Sequence, residues 1–212
     1  MKIEILHETD QWLASSKPAH ISVHNDPGND LISFLKKQCD QELFPVNRLD
    51  LGTSGIVLIA KTKEAAQALG AIVSARECKK YYSAICYGHI KGSSSEWNCW
   101  DLSLSKKAEG RKNPRGMSKD RVPCETRWKL VEQRGRCSVI DIHLITGRKH
   151  QIRRHAVLAK ATILGDGRYG NPKGKRDRLA LHARQLEFQD PFTKEEVCIH
   201  CPVEDSFWEL IP

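Results

Sequence analysis

The spacing of hydrophobic and polar residues along the chain predicts a mixture of strands and helices. Residues 56–60 (Ile-Val-Leu-Ile-Ala) form an unbroken apolar run, which is typical of a strand buried on both faces. Over residues 63–77, apolar positions recur at i, i+3, i+4 spacing and predict an amphipathic helix. A shorter helix is predicted over residues 31–39, after a cluster of turn-forming residues. Further strands are expected within residues 3–24 (two short strands), 81–87, 128–132, 138–145 and 183–201.

The first candidate for chemistry is a polar loop that precedes the buried strand. Arg48 and Asp50 lie between Pro45 and two glycines, Gly52 and Gly55. Glycine permits backbone conformations that other residues avoid, so a carboxylate here can be held tightly against a rigid strand. The alternative is that Asp50 only caps a turn, because aspartate often bonds to amides a few residues further on. This motif alone leaves both interpretations open.

The densest cluster of hydrogen-bonding side chains spans residues 146–155 (Thr-Gly-Arg-Lys-His-Gln-Ile-Arg-Arg-His). It follows a strand predicted to end at Ile145 and opens a helix. The apolar stripe of that helix is expected at Ile152, Ala156 and Ala159. Cations at a helix start are unfavourable unless an anion compensates them, so Arg148 and Lys149 indicate a phosphate or carboxylate partner. A solvated basic face is the simpler alternative.

Composition and charge also indicate a polyanionic partner. Lys and Arg total 34 against 26 Asp and Glu, which gives a net charge of +8. Residues 106–121 form a basic segment interspersed with Gly and Pro; it is either a solvated insertion or an arm that contacts nucleic acid. The chain has no apolar run of membrane-spanning length and no apolar signal segment at its start. We therefore expect a cytoplasmic protein with no membrane association.

One close pair of cysteines, Cys198 and Cys201 with His200 between them, has the spacing of metal ligands. A structural zinc site needs a second pair of ligands at similar spacing, and the sequence offers none, so no metal is expected. The alternation of Val197, Ile199 and Cys201 instead predicts the inward face of a strand.

Three motifs together resemble the signature motifs of RluA-type RNA pseudouridine synthases. They occupy residues 47–55 (Asn-Arg-Leu-Asp-Leu-Gly-Thr-Ser-Gly), 80–84 (Lys-Tyr-Tyr-Ser-Ala) and 146–155. Supporting matches occur at residues 17–18, 163–166, 169–170, 179–183 and 190–193. The resemblance covers nearly the whole chain. It implies an α+β fold with a curved, largely antiparallel sheet, flanking helices and a central cleft. It also implies a single catalytic domain over residues 1–212, without the accessory N-terminal RNA-binding domain of some relatives.

The same resemblance implies roles for individual side chains. Asp50 matches the catalytic aspartate, which acts either as a nucleophile or as a base directed at the ribose. Arg153 matches the arginine that pairs with this aspartate, and Tyr82 matches the active-site tyrosine that packs on the base. Arg48 resembles the residue that fills the gap left by the flipped uridine. Additional RNA or supporting contacts are expected at Arg148, Lys149, His150 and Gln151.

The implied activity is the isomerisation of a uridine in ribosomal or transfer RNA to pseudouridine. It requires no metal and no other cofactor, and a monomer is expected. Asn47, Arg154, Lys160 and Thr162 depart from the family pattern, which usually has His, an apolar residue, Gly and Pro there. These departures affect the choice of RNA more than the reaction.

Two other functions fit parts of the sequence. One is an RNA-binding module that kept this fold and lost the reaction, although it would not need Asp50, Tyr82 and Arg153 together. The other is a phosphotransferase, because residues 50–54 (Asp-Leu-Gly-Thr-Ser) superficially match the phosphate loop of actin-like ATPases and sugar kinases. That fold needs a second phosphate loop and a longer chain, and no Walker-type motif offers another ATP site.

Overall fold

The computed structural model describes residues 1–108, 110, 112–117, 119–170 and 178–212. The chain divides into two compact units, which we call the first unit (residues 1–80 and 183–202) and the second unit (residues 81–182 and 203–212). That the chain forms one catalytic domain stays a prediction. Arg111, part of the predicted basic segment, lies outside the described residues. Within the described ranges, none of the helices has the length and apolar character needed to cross a membrane.

The first unit is built on a sheet with the strand order β1-β2-β4-β11-β12, in which the short strand β3 also pairs with β4. Its strands are β1 (Glu4–Glu8), β2 (Trp12–Lys17), β3 (Phe44–Pro45), β4 (Ser54–Ala60), β11 (Leu181–Gln189, most of it in this unit) and β12 (Glu196–His200). The pairs β1–β2, β2–β4, β3–β4 and β11–β12 are antiparallel. The strands predicted for this part of the chain are therefore confirmed.

Two helices flank the central strand of the first unit, α1 (Leu31–Cys39) and α2 (Lys63–Ser74). Each begins at a side-chain cap: the Ser33 amide donates to Asp30 (2.8 Å) and the Ala65 amide donates to Thr62 (3.0 Å). The predicted bounds of α1 are confirmed, whereas α2 ends before residue 77 because Arg76 adopts a left-handed backbone (φ +65°).

Strand β4 is buried on both faces, as its unbroken apolar run predicted, because each face meets a different helix. Leu58 packs in one cluster with Leu69 of α2, and Val57 packs in another with Leu35 of α1. Burial of each such side chain contributes roughly 2 kcal/mol. This two-sided core gives a rigid base to the loop that leads into β4.

Strand β12 has the inward and outward faces predicted from its alternation. Ile199 and Cys201, the latter just past its end, are buried in the same cluster as Leu58, and Val197 packs against that cluster. Cys198 is exposed, with its Sγ 3.2 Å from Nε2 of His200.

The second unit contains an antiparallel sheet with the strand order β5-β10-β9-β6. Its strands are β5 (Lys79–Tyr87, most of it in this unit), β6 (Asn98–Trp100), β9 (Thr126–Arg134) and β10 (Cys137–Leu144). The strands predicted at residues 128–132 and 138–145 are confirmed, and they form the antiparallel hairpin β9–β10. A separate antiparallel pair is formed by β7 (Leu104–Ser105) and β8 (Arg121–Val122). The helices are α3 (Gln151–Leu158) and α4 (Asp205–Trp208). The predicted α+β class is confirmed.

Helix α3 differs from its predicted form at both ends. It begins at Gln151 because His150 takes a left-handed backbone (φ +55°), so Arg148 and Lys149 precede the helix. Ile152 and Ala156 are buried, as predicted. Ala159 is exposed and caps the C-terminus, so its place on the apolar stripe was wrong. The preceding strand ends at Leu144.

Candidate active site

The residues expected to form the active site are divided between the two units. Arg48 and Asp50 belong to the first unit, whereas Tyr82 and Arg153 belong to the second. Arg148, Lys149, His150 and Gln151 also belong to the second unit. The pairing of Asp50 with Arg153 stays a prediction.

In the first unit, main-chain hydrogen bonds close the turn that carries Asp50. The Thr53 amide donates to the carbonyl of Asp50 (3.0 Å). Two residues later, Gly55 adopts φ +111°, and a Cβ there would lie 2.2 Å from the carbonyl oxygen of Ala183. Only glycine fits such a close approach with this backbone conformation. The turn is thus set by main-chain geometry, which explains the glycine at this place in the motif.

A buried lysine ties this turn to the segment that follows β2. Lys17 is fully buried, and its ammonium donates to the carbonyls of Pro18 (2.9 Å), Ile21 (2.8 Å) and Leu51 (3.4 Å). The His20 amide also donates to the carbonyl of Leu51 (2.8 Å). The residue after Asp50 is therefore held from two sides.

The loop is anchored on its other side by Asn47, one of the departures from the family pattern. Its Oδ1 accepts a hydrogen bond from the Leu58 amide of β4 (2.7 Å), and the Val46 amide donates to the Leu58 carbonyl (2.9 Å). Asn47 therefore holds the start of the loop on the rigid strand. Arg48, next in the chain, is exposed, and Asp50 is partly exposed.

In the second unit, two adjacent tyrosines on β5 face opposite sides of the sheet, as successive strand residues must. Tyr82 pairs with Ile142 of β10 and is 6% exposed. Tyr81 pairs with His143, and these two rings stack with their centroids 4.6 Å apart. The two tyrosines therefore have different surroundings; that Tyr82 is the one that faces the cleft stays a prediction.

Helix α3 packs on the same face of the sheet as Tyr82. The β10 residues Ile142 and Leu144 share that face, and Leu144 pairs with Thr126 of β9. Thr126 Oγ1 lies 2.9 Å from Nδ1 of His155 in α3. Tyr82 and the helix that carries Arg153 are thus placed on one side of this sheet.

Arg153 is held by two parallel hydrogen bonds to Asp166. Its Nε donates to Oδ2 (2.9 Å) and its Nη2 donates to Oδ1 (2.8 Å). Its guanidinium also lies 5.3 Å from the centroid of the Tyr169 ring, within cation–π range. A bidentate pair fixes both the position and the plane of the guanidinium.

Asp166 is ionised in this arrangement, although its side chain is almost fully buried. Burial alone would raise the pKa of this carboxyl group. Hydrogen bonds and charge from Arg153, together with the amides of Tyr169 and Arg168, outweigh burial, so the pKa lies below its ordinary value of 3.8. Asp166 and Tyr169 lie in two of the supporting matches to the family, but the sequence analysis assigned them no role. Nothing else in the sequence indicated that they contact Arg153.

His150 and Gln151 are integrated into the protein itself. His150 Nδ1 lies 3.0 Å from the hydroxyl of Tyr169. Gln151 is 2% exposed; its Oε1 accepts from the Thr146 hydroxyl and the Arg148 amide, and its Nε2 donates to Thr126 Oγ1 and the Glu125 carbonyl. Gln151 was expected either to contact RNA or to support residues that do, and these contacts fit the supporting role. Arg148 and Lys149 have exposed side chains.

Arg154 is fully buried, an unusual position for an arginine. Its guanidinium donates to the carbonyls of Ser105 (3.0 Å), Pro114 and Arg115 (3.0 Å), and to the hydroxyl of Ser105 (3.1 Å). These acceptors lie at the base and within the basic segment, which the β7–β8 pair closes. Arg154 therefore attaches this segment to α3.

The fold built from these elements is that of pseudouridylate synthases. The solved structure of human RNA pseudouridylate synthase domain containing 1 superposes with a TM-score of 0.80, covering 95% of this chain and 84% of that chain at 23% identity. The family model described as RNA pseudouridylate synthase matches residues 11–157. The chain belongs to this family, and its activity is RNA pseudouridine synthesis.

Comparison with individual relatives places the chain in the RluA-type branch. It is 34% identical to a ribosomal large subunit pseudouridine synthase C of Vibrio parahaemolyticus, over 98% of this chain and 68% of the relative. It is 32% identical to a dual-specificity RNA pseudouridine synthase RluA of Pasteurella multocida, over 94% of this chain and 93% of the relative. The predicted family and reaction are confirmed.

Proposed function

We propose that this chain isomerises a specific uridine of ribosomal or transfer RNA, with Asp50, Arg153 and Tyr82 as its catalytic residues. The names of its relatives, one directed to the large ribosomal subunit and one of dual specificity, support these substrate classes. The observation that carries the assignment of residues is the Arg153 guanidinium, which Asp166 and Tyr169 hold in one orientation before any substrate binds. A preorganised cation of this kind is suited to an anionic partner.

The reaction exchanges one bond to the ribose for another. The bond from N1 of uracil to C1′ breaks, the base turns over, and a bond from C5 to C1′ forms. The proton on C5 leaves and N1 gains a proton, so the product has the same composition as the substrate. Asp50 acts as the nucleophile or as the base directed at the ribose, and it must be ionised to do so. Arg153 favours that ionised form, because a guanidinium stays charged and has five N–H donors, of which Asp166 receives two. Tyr82 packs on the base and removes the C5 proton.

Recognition of the RNA falls to cations around these residues. Arg48 is exposed beside Asp50 and takes the place of the flipped uridine in the stack. Arg148 and Lys149, exposed just before α3, contact phosphates, and His150 and Gln151 support them. The basic segment acts as an arm that contacts RNA; its attachment to Arg154 supports this role over that of a solvated insertion. Its charge in the described residues comes from Lys106, Lys107, Lys112, Arg115, Lys119 and Arg121.

The chain is further proposed to act as a single catalytic domain and as a monomer, in the cytoplasm and without a metal or other cofactor. Light scattering on the purified protein bound to RNA measures the number of copies in the complex. One copy per RNA is expected, and two copies would contradict the proposal.

Asp50→Asn tests the catalytic assignment, because it changes the charge of one side chain in a turn that the main chain closes. We expect pseudouridine formation to fall at least about 1,000-fold, the order of loss seen when a nucleophile is removed, while RNA binding is retained. Pseudouridine is mapped in RNA from cells with and without the gene, which also identifies the target. A near-wild-type rate would refute the role of Asp50. A wild-type protein that binds RNA without modifying any site would favour the inactive module.

A further inference from the structure

A cavity of about 370 Å³ lies within the second unit. This volume falls in the range of small-molecule binding sites. Its walls are formed by residues 87–91, which leave β5, residues 159–161, which follow α3, and the side chains of Trp100 and Trp128.

This cavity lies away from the proposed catalytic residues of the same unit. Tyr87 stands five residues beyond Tyr82 on β5, which corresponds to about 17 Å along the strand. Trp128 is nearer, since it pairs with Ile142, which pairs with Tyr82; two strand spacings correspond to about 10 Å. Leu158, the last residue of α3, lies five residues beyond Arg153, which corresponds to about 8 Å along the helix, and Lys160 follows two residues later. The uridine that reacts at Tyr82 and Arg153 therefore cannot occupy this cavity at the same time.

One wall of the cavity is aromatic and firmly built. The rings of Trp100 and Trp128 lie 5.4 Å apart at an angle of 34°. Asn98 fixes this wall by donating from Nδ2 to the carbonyl of Trp128 (3.2 Å). A Cβ on Gly92 would lie 2.2 Å from the Trp128 ring, so only glycine lets the chain cross the ring here. Trp100 is partly exposed, which leaves its ring available for stacking.

The rim of the cavity is cationic. Lys91 and Lys160 are exposed, and neither side chain has a hydrogen-bond or ion-pair partner within the part of the chain that the structure describes. His89 lies beside them, and its Nε2 donates to the carbonyl of Gly135 (2.9 Å), which fixes the ring. An aromatic surface with unpaired cations above it suits a nucleotide, because the base can stack while the phosphate meets the cations.

Lys160 occupies its position against the preference of the backbone. It adopts a left-handed conformation (φ +59°) just after the C-terminal cap of α3. This conformation favours glycine, the residue that RluA-type enzymes usually have here. A cation does interact favourably with a helix C-terminus, which accounts for a lysine without any ligand. The aromatic cavity next to Lys160, however, offers a second explanation, because the phosphate of a nucleotide bound there would lie close to this charge.

We propose that this cavity binds a second nucleotide of the RNA substrate, one that flanks the target uridine in the sequence or in the folded RNA. Its base packs against Trp100, and its phosphate lies between Lys91 and Lys160. The inference rests on the proposed action of this chain on RNA. It adds a contact through which the enzyme recognises the RNA around the target uridine.

Lys160→Gly tests the proposal, with Lys194→Gly as its matched control. Lys194 is also an exposed lysine with a left-handed backbone (φ +65°), but it belongs to the first unit. Both variants remove one charge and relieve the same backbone conformation. A third variant, Trp100→Leu, removes the stacking surface. Binding is measured by fluorescence anisotropy with a labelled single-stranded RNA of mixed sequence, and turnover is measured on RNA from cells lacking the gene.

For Lys160→Gly and Trp100→Leu we expect Kd for the RNA probe to rise about five-fold or more, the loss expected when one base loses its contacts. KM should rise in parallel, whereas kcat at saturating RNA should not change. The melting temperature of Lys160→Gly should equal or exceed that of the wild type, so weak binding could not be attributed to unfolding. Lys194→Gly should bind RNA within about two-fold of the wild type.

Equal loss of binding in both lysine variants would show a general effect of charge and overturn the proposal. Unchanged binding in Lys160→Gly and Trp100→Leu would also overturn it. If the wild-type protein itself neither binds nor modifies RNA, the proposed function fails instead, so the two failures are distinguishable.

Discussion

Arg153 and Asp166 are joined by two parallel hydrogen bonds, of 2.9 and 2.8 Å, and only 1% of the Asp166 side chain is exposed. The carboxylate receives two further hydrogen bonds, from the amides of Arg168 (3.0 Å) and Tyr169 (2.9 Å). Because the carboxylate is itself fixed by the backbone, it transmits that fixed position to the guanidinium. We therefore assign Asp166 a positioning role for Arg153.

Asp166→Asn should lower kcat about ten-fold or more with little change in KM. The substitution keeps the shape of the side chain but removes one acceptor and the charge, and a small displacement of a catalytic group costs rate steeply. The free energy of unfolding should fall by about 1–3 kcal/mol, because buried donors lose their acceptor. Kinetics on the target RNA and chemical denaturation measure both effects. Glu187→Gln, which alters an ion pair with Lys79 at the surface, is the control. It should change neither kcat nor the free energy of unfolding.

Tyr82→Phe should abolish turnover while RNA binding is retained, because it keeps the ring and removes only the hydroxyl proposed to accept the C5 proton. Tyr81→Phe is a close control, since it makes the same chemical change on the opposite face and preserves the stack on His143. Single-turnover pseudouridine assays compare the two. Full activity in Tyr82→Phe would exclude this tyrosine from proton transfer.

Arg154→Leu should release the basic segment without unfolding α3. Leucine has a high helix propensity, so α3 should be retained. The carbonyls of Ser105, Pro114 and Arg115, however, lose their donor and will turn to water. Limited trypsin digestion followed by mass spectrometry should show faster cleavage within residues 106–121 than in the wild type, because local opening exposes lysines and arginines. Equal cleavage rates would show that Arg154 does not hold this segment.

Stability should decrease as the pH falls below about 6.5, the ordinary pKa of histidine. Burial lowers the pKa of His155, and the nearby Arg154 charge adds to this, although the hydrogen bond to the Leu102 carbonyl opposes it. The unfolded chain therefore binds a proton that the folded chain rejects, so folding loses up to about 1.4 kcal/mol per pH unit until the folded pKa is reached. The pKa of Asp166 is also lowered, but its contribution is lost only below pH 3.8.

Urea denaturation of the wild type and of His155→Asn at several pH values between about 5 and 8 checks this prediction. The variant has no group that titrates at this position, so its stability should change less over the interval. Parallel curves for the two proteins would show that another group is responsible.

Patterns of apolar residues predicted the elements that carry the core. Strand β4 was predicted because helices cover both of its faces, so every residue at positions 56–60 is apolar. The bounds of α1 were predicted from the turn-forming residues before it, and the last of these, Asp30, caps the helix. The start of α3 was missed because the left-handed His150 leaves no such mark. Short strands such as β7 depend on distant partners and were also missed.

Charged positions were harder to interpret from the sequence than apolar ones. Arg153 and Arg154 are adjacent and chemically identical, yet one meets a buried carboxylate and the other meets main-chain carbonyls of a distant loop. Adjacent residues of a helix point in different directions, but sequence spacing does not indicate what each side chain contacts. The role of a charged side chain depends on residues that are distant in the sequence, and local sequence patterns do not indicate which residues these are.

The basic segment leaves the fold through β7 and returns through β8, and the ladder of these two short strands closes its base. Because the ends are fixed, the length and sequence between them can change at small thermodynamic expense, with each doubling of a flexible loop costing only about 0.6 kcal/mol. Replacing the residues between β7 and β8, with the Arg154 contacts at Pro114 and Arg115 retained, should therefore leave the rest of the fold intact. If the proposed RNA contacts of this segment are correct, such a graft will change the RNA target without changing the reaction.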